Sequence, residues 1–184
     1  MRHSGGDCNV PRRYYSLMPP LSEDISIRRT TLEDIGDIVR LRIAMQEELD
    51  EAETHRAEHK MRARDVLPET IAFFRQAIPS GEYVGFVAEA AGRVVACGGL
   101  VTYTVPPLPV NRNGREALIM NMYTEPEWRG RGIGRQIVGA LMTEARSRGV
   151  GRIWLRASHA GRPLYERYGF EGRDYYMQIL AGGE

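Results

Sequence analysis

Cysteine is scarce: Cys8 and Cys97 are the only two in 184 residues. Cys8 lies in a Gly- and Arg-rich N-terminal stretch and Cys97 in an apolar run, so no disulfide framework is expected, and a reducing cytoplasm is the expected compartment. Cys97 reads as a small buried hydrophobe. Long apolar runs are missing too. None approaches the ~20 residues that span a bilayer, and no apolar segment of a secretory signal follows the N-terminal arginines. Charge imbalance is also missing: the formal net charge of +1 gives no reason to expect nucleic acid or a membrane as partner. What is present, 42% hydrophobic and 27% charged residues, is the composition of one globular domain with a real core.

Residues 1–22 carry glycine, proline and arginine with few periodic apolar positions. They read as an N-terminal tail, poorly ordered or lying upstream of a true start at Met18. Residues 23–184 read as one domain without repeats. Ile25 to Arg28 alternates apolar and polar, the pattern of a strand. Thr31 precedes Asp34 by three, close to a capping box, and Ile35, Ile38, Val39, Met45 and Leu49 follow at helical spacing. Glu51 to Arg64 is charged and weakly periodic, a polar helix extension or a loop. Pro68 opens a second helix with Ile71, Phe74 and Ile78 on one face, stopped by Pro79-Ser80-Gly81. Tyr83 to Glu89 and Arg93 to Tyr103 are strands joined by a tight Ala91-Gly92 turn. Ala117 to Thr124 is an apolar strand. Ile133, Ile137, Val138, Leu141, Met142 and Ala145 outline a strong helix, Arg152 to Ala157 a strand, Arg162 to Tyr168 a short helix, and Phe170 to Ile179 a last strand. The order β-α-α-β-β-β-α-β-α-β implies an α/β fold, one mixed sheet with helices packed on it.

Between the apolar strand and the strong helix lies Arg129-Gly130-Arg131-Gly132-Ile133-Gly134, followed by Arg135. A helix N-terminus leaves N–H groups unpaired and carries partial positive charge, so it suits an anion. Glycines let the backbone approach a ligand closely. Arginines crowded at a helix start are unfavourable by themselves. An anion among them reverses that sign, and guanidinium groups hold phosphate oxygens two at a time. A pyrophosphate is the natural guest. Other phosphate loops fail on the residues: no Lys-Ser or Lys-Thr closes the turn, and a G-x-G-x-x-G run ends on Arg135 from Gly130 or on Ile137 from Gly132. The plainer reading is a Gly-rich surface turn with solvated arginines.

The stretch Met122-Tyr123-Thr124-Glu125-Pro126-Glu127-Trp128-Arg129-Gly130-Arg131-Gly132-Ile133-Gly134 resembles the acetyl-CoA-binding motif of the GNAT acetyltransferase superfamily. Its core, Arg/Gln-x-x-Gly-x-Gly/Ala, is matched by Arg129, Gly132 and Gly134. Leu164-Tyr165-Glu166-Arg167-Tyr168-Gly169-Phe170 resembles the family's C-terminal Leu-Tyr-x-x-x-Gly-Phe segment. The resemblance is clear over residues 117–170 and architectural over about 25–104. It implies a GNAT-like domain with a splayed central strand pair whose wedge takes the pantetheine arm of acetyl-CoA. Backbone groups of Met122, Tyr123 and Thr124 would pair with that arm, and N–H groups from Arg129 to Arg135 would hold the pyrophosphate. Tyr165 matches the tyrosine near the thioester sulfur. A phenol of ordinary pKa ~10 is protonated at neutral pH and can give its proton to the departing thiolate. Ser158 stands where many members carry an asparagine that contacts CoA. Its hydroxyl makes one such bond, or satisfies nearby backbone groups instead.

The implied reaction is transfer of an acetyl group from acetyl-CoA to a primary amine, on a small molecule or a peptide, by direct attack. No motif fixes the general base. Glu125, at the end of the central strand, is the first candidate, with Glu47 and Glu48 behind it; the plainer reading of each is a solvated surface carboxylate. Tyr123 and Tyr103 could line the acceptor pocket, or simply pack. The family often forms dimers, which leaves a homodimer open. Two other readings compete. One is a non-catalytic acyl-CoA-binding module that kept the turn. The other is zinc hydrolysis, because His55-Arg56-Ala57-Glu58-His59 fits H-x-x-E-H. No third ligand accompanies it, and no metal is expected.

Overall fold

The computed structural model describes residues 21–22, 24–52 and 62–172. Among them the elements follow the expected order: β1 (Ile25–Arg29), α1 (Ile35–Ala52), α2 (Leu67–Ser80), β2 (Tyr83–Ala90), β3 (Arg93–Thr104), β4 (Arg115–Thr124), α3 (Ile133–Ser147), β5 (Arg152–Leu155) and α4 (Arg162–Glu166). The strands form one sheet in the order β1-β2-β3-β4-β5. Neighbours are antiparallel except β4 and β5, which are parallel. The last expected strand falls mostly outside the described residues, as do Cys8, His55, Glu58, His59 and residues 1–20. Leu21, placed in the tail by sequence, packs against the core.

The sheet separates two cores. On one face the apolar stripe of α3 (Ile133, Ile137, Val138, Leu141, Met142 and Ala145) lies on Val84, Ala88, Leu100, Ala117 and Ile119. On the other, Ile35, Ile38, Leu41, Phe74 and Ala77 of α1 and α2 cover Tyr83, Val87, Val94 and Cys97. Each fully buried Leu or Ile side chain contributes about 1.5–3 kcal/mol. Burial pushes the Cys97 thiol up to about 12, so it is a packing group rather than a nucleophile.

The entry to α1 is pinned by Asp34. Its Oδ2 accepts from the Thr31 N–H at 2.7 Å and from the Thr31 hydroxyl at 3.1 Å. Arg28 of β1 grips both carboxylate oxygens, at 2.7 and 2.8 Å. Burial alone would raise Asp34, but the hydrogen bonds from Arg28 and Thr31 outweigh it and hold the carboxyl below its ordinary value. A depressed folded-state pKa adds stability that is present above the ordinary carboxylate pKa and lost as pH falls through the lowered one. Asp34→Asn is therefore expected to lower stability by about 1–3 kcal/mol at neutral pH. The deficit should shrink as the pH drops below about 4, where Asp34 of the unfolded chain takes up a proton before the native carboxylate does. Urea unfolding at pH 7 and pH 3 measures both; an equal deficit at the two values would contradict the ionic account.

A bulge in β4 shapes the site. Cys97 stands opposite Tyr123 and Gly99 opposite Met120, so Asn121 and Met122 together face Gly98. Asn121 has φ of 55°, a left-handed conformation that asparagine tolerates better than most residues. The extra residue breaks the period of two: Ile119 and Met122 face the α3 core, whereas Met120 and Tyr123 face the α1 core. Gly98 makes room, because a Cβ there would fall 2.3 Å from Met122 Sδ and 2.6 Å from Ile137 Cγ2. β5 ends at Leu155, two residues short of expectation, because it leaves β4 there.

Candidate active site

β4 and β5 pair only from Glu116 to Ile119, and β4 then runs on to Thr124 alone on that side. The backbone of Met122, Tyr123 and Thr124 thus presents an open edge. The chain next turns through Pro126–Trp128 and enters Gly130 and Gly132, at φ 76° and 82°. Glycine adopts such values without strain. The first hydrogen bond of α3 is the Gln136 N–H to the Gly132 carbonyl, at 3.1 Å. Among the described residues the N–H groups of Gly130 to Arg135 make no backbone bond, and no side chain caps the helix. A Cβ on Gly130 or Gly132 would meet nothing within 4 Å. Unpaired donors at the positive end of a 15-residue helix therefore open onto free space, which is what a phosphate group requires.

The three arginines of the turn divide. The Arg131 guanidinium lies 4.6 Å from the centre of the Trp128 ring and touches the Glu127 carbonyl at 3.3 Å. Arg135 keeps a buried Nε without a hydrogen-bond partner. Arg129 turns the other way, donating to Glu48 of α1 at 2.6 and 2.9 Å and to the Thr124 carbonyl at 2.9 Å. The Tyr123 hydroxyl donates to the same Glu48 carboxylate at 3.2 Å. The Arg129 hydrogen bonds hold Glu48 below the usual carboxylate range. Glu48 is thus a committed anion that ties α1 to the end of β4. Glu47 accepts from Arg64 at 2.7 Å.

Tyr165 comes from α4. Its ring is buried and meets Phe170 edge-on at 5.9 Å. Its hydroxyl has no hydrogen-bond partner among the described residues, and burial pushes the phenol up to about 12. The Tyr168 hydroxyl donates to the Arg135 carbonyl at 2.6 Å, which pins α4 to the start of α3. Ser158 opens α4: its Oγ accepts from the Gly161 N–H at 3.1 Å, and its carbonyl from the Arg162 N–H at 3.0 Å. Glu125 is 8% exposed and held by two arginines, Arg40 at 2.5 Å and Arg93 at 3.0 Å. Tyr103 lies at the opposite end of β4, donating to Glu116 at 3.1 Å and accepting from Trp154 Nε1 at 2.5 Å. Leu164 of α4 and the Thr124 hydroxyl both approach Gly134, which sets α4 beside the glycine turn and the end of β4; Ser158 and Tyr165 meet near Gly161, and Tyr103 sits at the other end of the strand pair. Sequence reasoning missed Asn121 and Arg42, which meet at the bulge; a lone asparagine inside an apolar strand was the available signal.

Residues 43–170 match the acetyltransferase (GNAT) family, a span that contains the whole wedge. The chain belongs to this family. It is 35% identical to the ribosomal protein bS18-alanine N-acetyltransferase of Haemophilus influenzae, over 38% of this chain and 51% of that protein. It is 28% identical to the glucosamine 6-phosphate N-acetyltransferase of Trypanosoma brucei brucei, over 51% of this chain and 62% of that protein. The chain spans about half the length of the curated relatives it matches. A crystal structure of a predicted acetyltransferase with acetyl-CoA from Clostridium acetobutylicum is 30% identical, with a TM-score of 0.73, over 85% of this chain and 96% of that one. GNAT acetyltransferases use acetyl-CoA, and the uncapped, open turn of α3 fits its pyrophosphate. Among the described residues no helix is long and apolar enough to cross a membrane, and no group of three His, Cys, Asp or Glu could hold a metal ion.

Proposed function

We propose that this GNAT protein transfers the acetyl group of acetyl-CoA to a primary amine. One observation carries the reading: the uncapped N-terminus of α3 opens beside the free edge of β4, with the unpartnered hydroxyl of Tyr165 on the neighbouring helix α4. The N–H groups of Gly130, Arg131, Gly132, Ile133, Gly134 and Arg135 hold the pyrophosphate, and Arg131 and Arg135 add positive charge. The Arg129 N–H is already bonded to the Pro126 carbonyl at 3.2 Å, so Arg129 serves through its side chain, as the link to Glu48. The edge of Met122, Tyr123 and Thr124 pairs with the pantetheine arm as a strand would, and the Ser158 hydroxyl retains a proton to donate to it.

Acetyl-CoA supplies an acyl group activated as a thioester. A neutral amine attacks its carbonyl carbon, the carbon–sulfur bond breaks, and Tyr165 gives its proton to the departing sulfur. Glu125 and Glu48 both face guanidinium groups. In this reading Glu125 positions the end of β4 through Arg40 and Arg93, and the surplus proton of the amine leaves through water. A cytoplasmic location goes with the reading, and self-association is a matter for sedimentation. The test is thiol release from acetyl-CoA by the purified chain across a panel of primary amines. Amine-dependent release of CoA is the expected result. Acetyl-CoA that binds but is turned over with no amine would favour the non-catalytic binding module.

A further inference from the structure

Arg42 of α1 is a partly buried cation that has no counterion among the described residues. Its Nη1 donates to Oδ1 of Asn121, the left-handed residue of the β4 bulge, and no carboxylate pairs with it among the described residues. The arginines around it are all matched: Arg40 with Asp37 and Glu125, Arg93 with Glu125 and Glu127, Arg129 with Glu48. Tyr83 and Cys97, the titratable groups nearest Arg42, do not neutralise it, because burial drives both pKa values up and keeps them protonated. The Tyr83 hydroxyl and the Asn121 Nδ2 are both buried and face each other, with no other partner among the described residues. A partly buried guanidinium whose acceptor is one neutral amide oxygen, with no carboxylate beside it among the described residues, is costly to bury. An anion beside Arg42 would offset that cost.

The position says which anion. Asn121 lies on β4 two residues before Tyr123, in the stretch whose other edge is open to the wedge. Arg42 reaches this stretch from the α1 face, away from the α3 turn. We infer that Arg42 anchors the acceptor: the amine acetylated by this chain carries an oxyanion, a carboxylate or a phosphate, which pairs with Arg42 beside Asn121. The inference rests on the acetyltransferase reading and deepens it by naming the acceptor's chemical class. A bidentate guanidinium grip accounts for an arginine here rather than a lysine.

Three short primary amines test it: β-alanine, O-phosphoethanolamine and neutral ethanolamine, with kcat/KM measured for the parent, Arg42→Gln and Arg42→Lys. The parent should favour at least one anionic amine over ethanolamine by about 10-fold or more, the worth of one charge-assisted hydrogen bond. Whether β-alanine or O-phosphoethanolamine leads identifies the oxyanion. Arg42→Gln should bring the anionic-to-neutral ratio close to one, and Arg42→Lys should restore part of it. A ratio of one in the parent overturns the inference without any variant. An Arg42→Gln that lowers all three amines alike also overturns it and makes Arg42 a strut for the bulge. Calorimetric titration of each protein with acetyl-CoA separates the two levels. A parent that does not bind acetyl-CoA removes the acetyltransferase reading and this inference with it. A parent that binds acetyl-CoA yet shows no anionic preference, absence of turnover included, overturns this inference alone.

Discussion

Tyr165→Phe is expected to lower kcat by about 10²- to 10⁴-fold, the usual worth of a positioned general acid, with acetyl-CoA affinity almost unchanged. The argument is local. Phenylalanine keeps the ring, its burial and its edge-on contact with Phe170, so the fold loses nothing. What disappears is a hydroxyl that makes no hydrogen bond to the described protein and is therefore held for something else. The pH profile supplies a second readout. Burial pushes the phenol up to about 12, so the protonated acid persists across the range in which acceptor amines lose their protons. The rate should rise with pH as the amine becomes neutral, with no descending limb below about pH 11; a phenol of ordinary pKa would give a decline from about pH 9. Steady-state kinetics from pH 6 to pH 10.5 measures this. Unchanged kcat in Tyr165→Phe would assign the residue to packing.

The second large effect is structural. Gly99→Ala is expected to cost about 3 kcal/mol or more, and thus to lower Tm by roughly 6–12 °C. Gly85 and Gly99 stand opposite each other in β2 and β3, and the Tyr83 ring lies across the pair. A Cβ on Gly99 would come within 2.1 Å of the Tyr83 Oη and 2.2 Å of its Cζ. The ring has nowhere to go, being 1% exposed and edge-on to Phe74 at 5.0 Å. Its displacement would also disturb Asn121 and, through it, Arg42. Thermal melts of parent and variant decide the point. A loss below about 1 kcal/mol would show that the sheet is not close-packed there.

These two predictions draw on different kinds of legibility. The order of elements, the α3 stripe and the strand–turn–helix around Gly130 and Gly132 could be read because each is written locally, in helical spacing and in glycines where φ is positive. Features set by distant partners could not. The lone Asn121 in the run from Ala117 to Thr124 is the one local sign of a bulge, and it does not say that Tyr123 is sent toward α1. Glu125 looked like a base because it ends the central strand; its arginines come from positions 85 and 32 residues away. Glu48 was one of three candidate carboxylates until the fold laid Arg129 on it across 81 residues. Arg156 and Ala157 have strand character, yet β5 ends before them because pairing requires a neighbour and β4 has already diverged.

The central claim is that the open turn of α3 holds the pyrophosphate of acetyl-CoA. Calorimetric titration of acetyl-CoA into the parent and into Gly132→Glu tests it most directly, with circular dichroism to confirm that both are folded. Gly132 sits at φ 82° with open space where a Cβ would stand, so glutamate there puts a strained backbone, a side chain and a negative charge where the phosphates are to lie. The account predicts micromolar binding by the parent and none by the variant. A folded parent that does not bind acetyl-CoA, or a folded variant that binds it equally well, would contradict it.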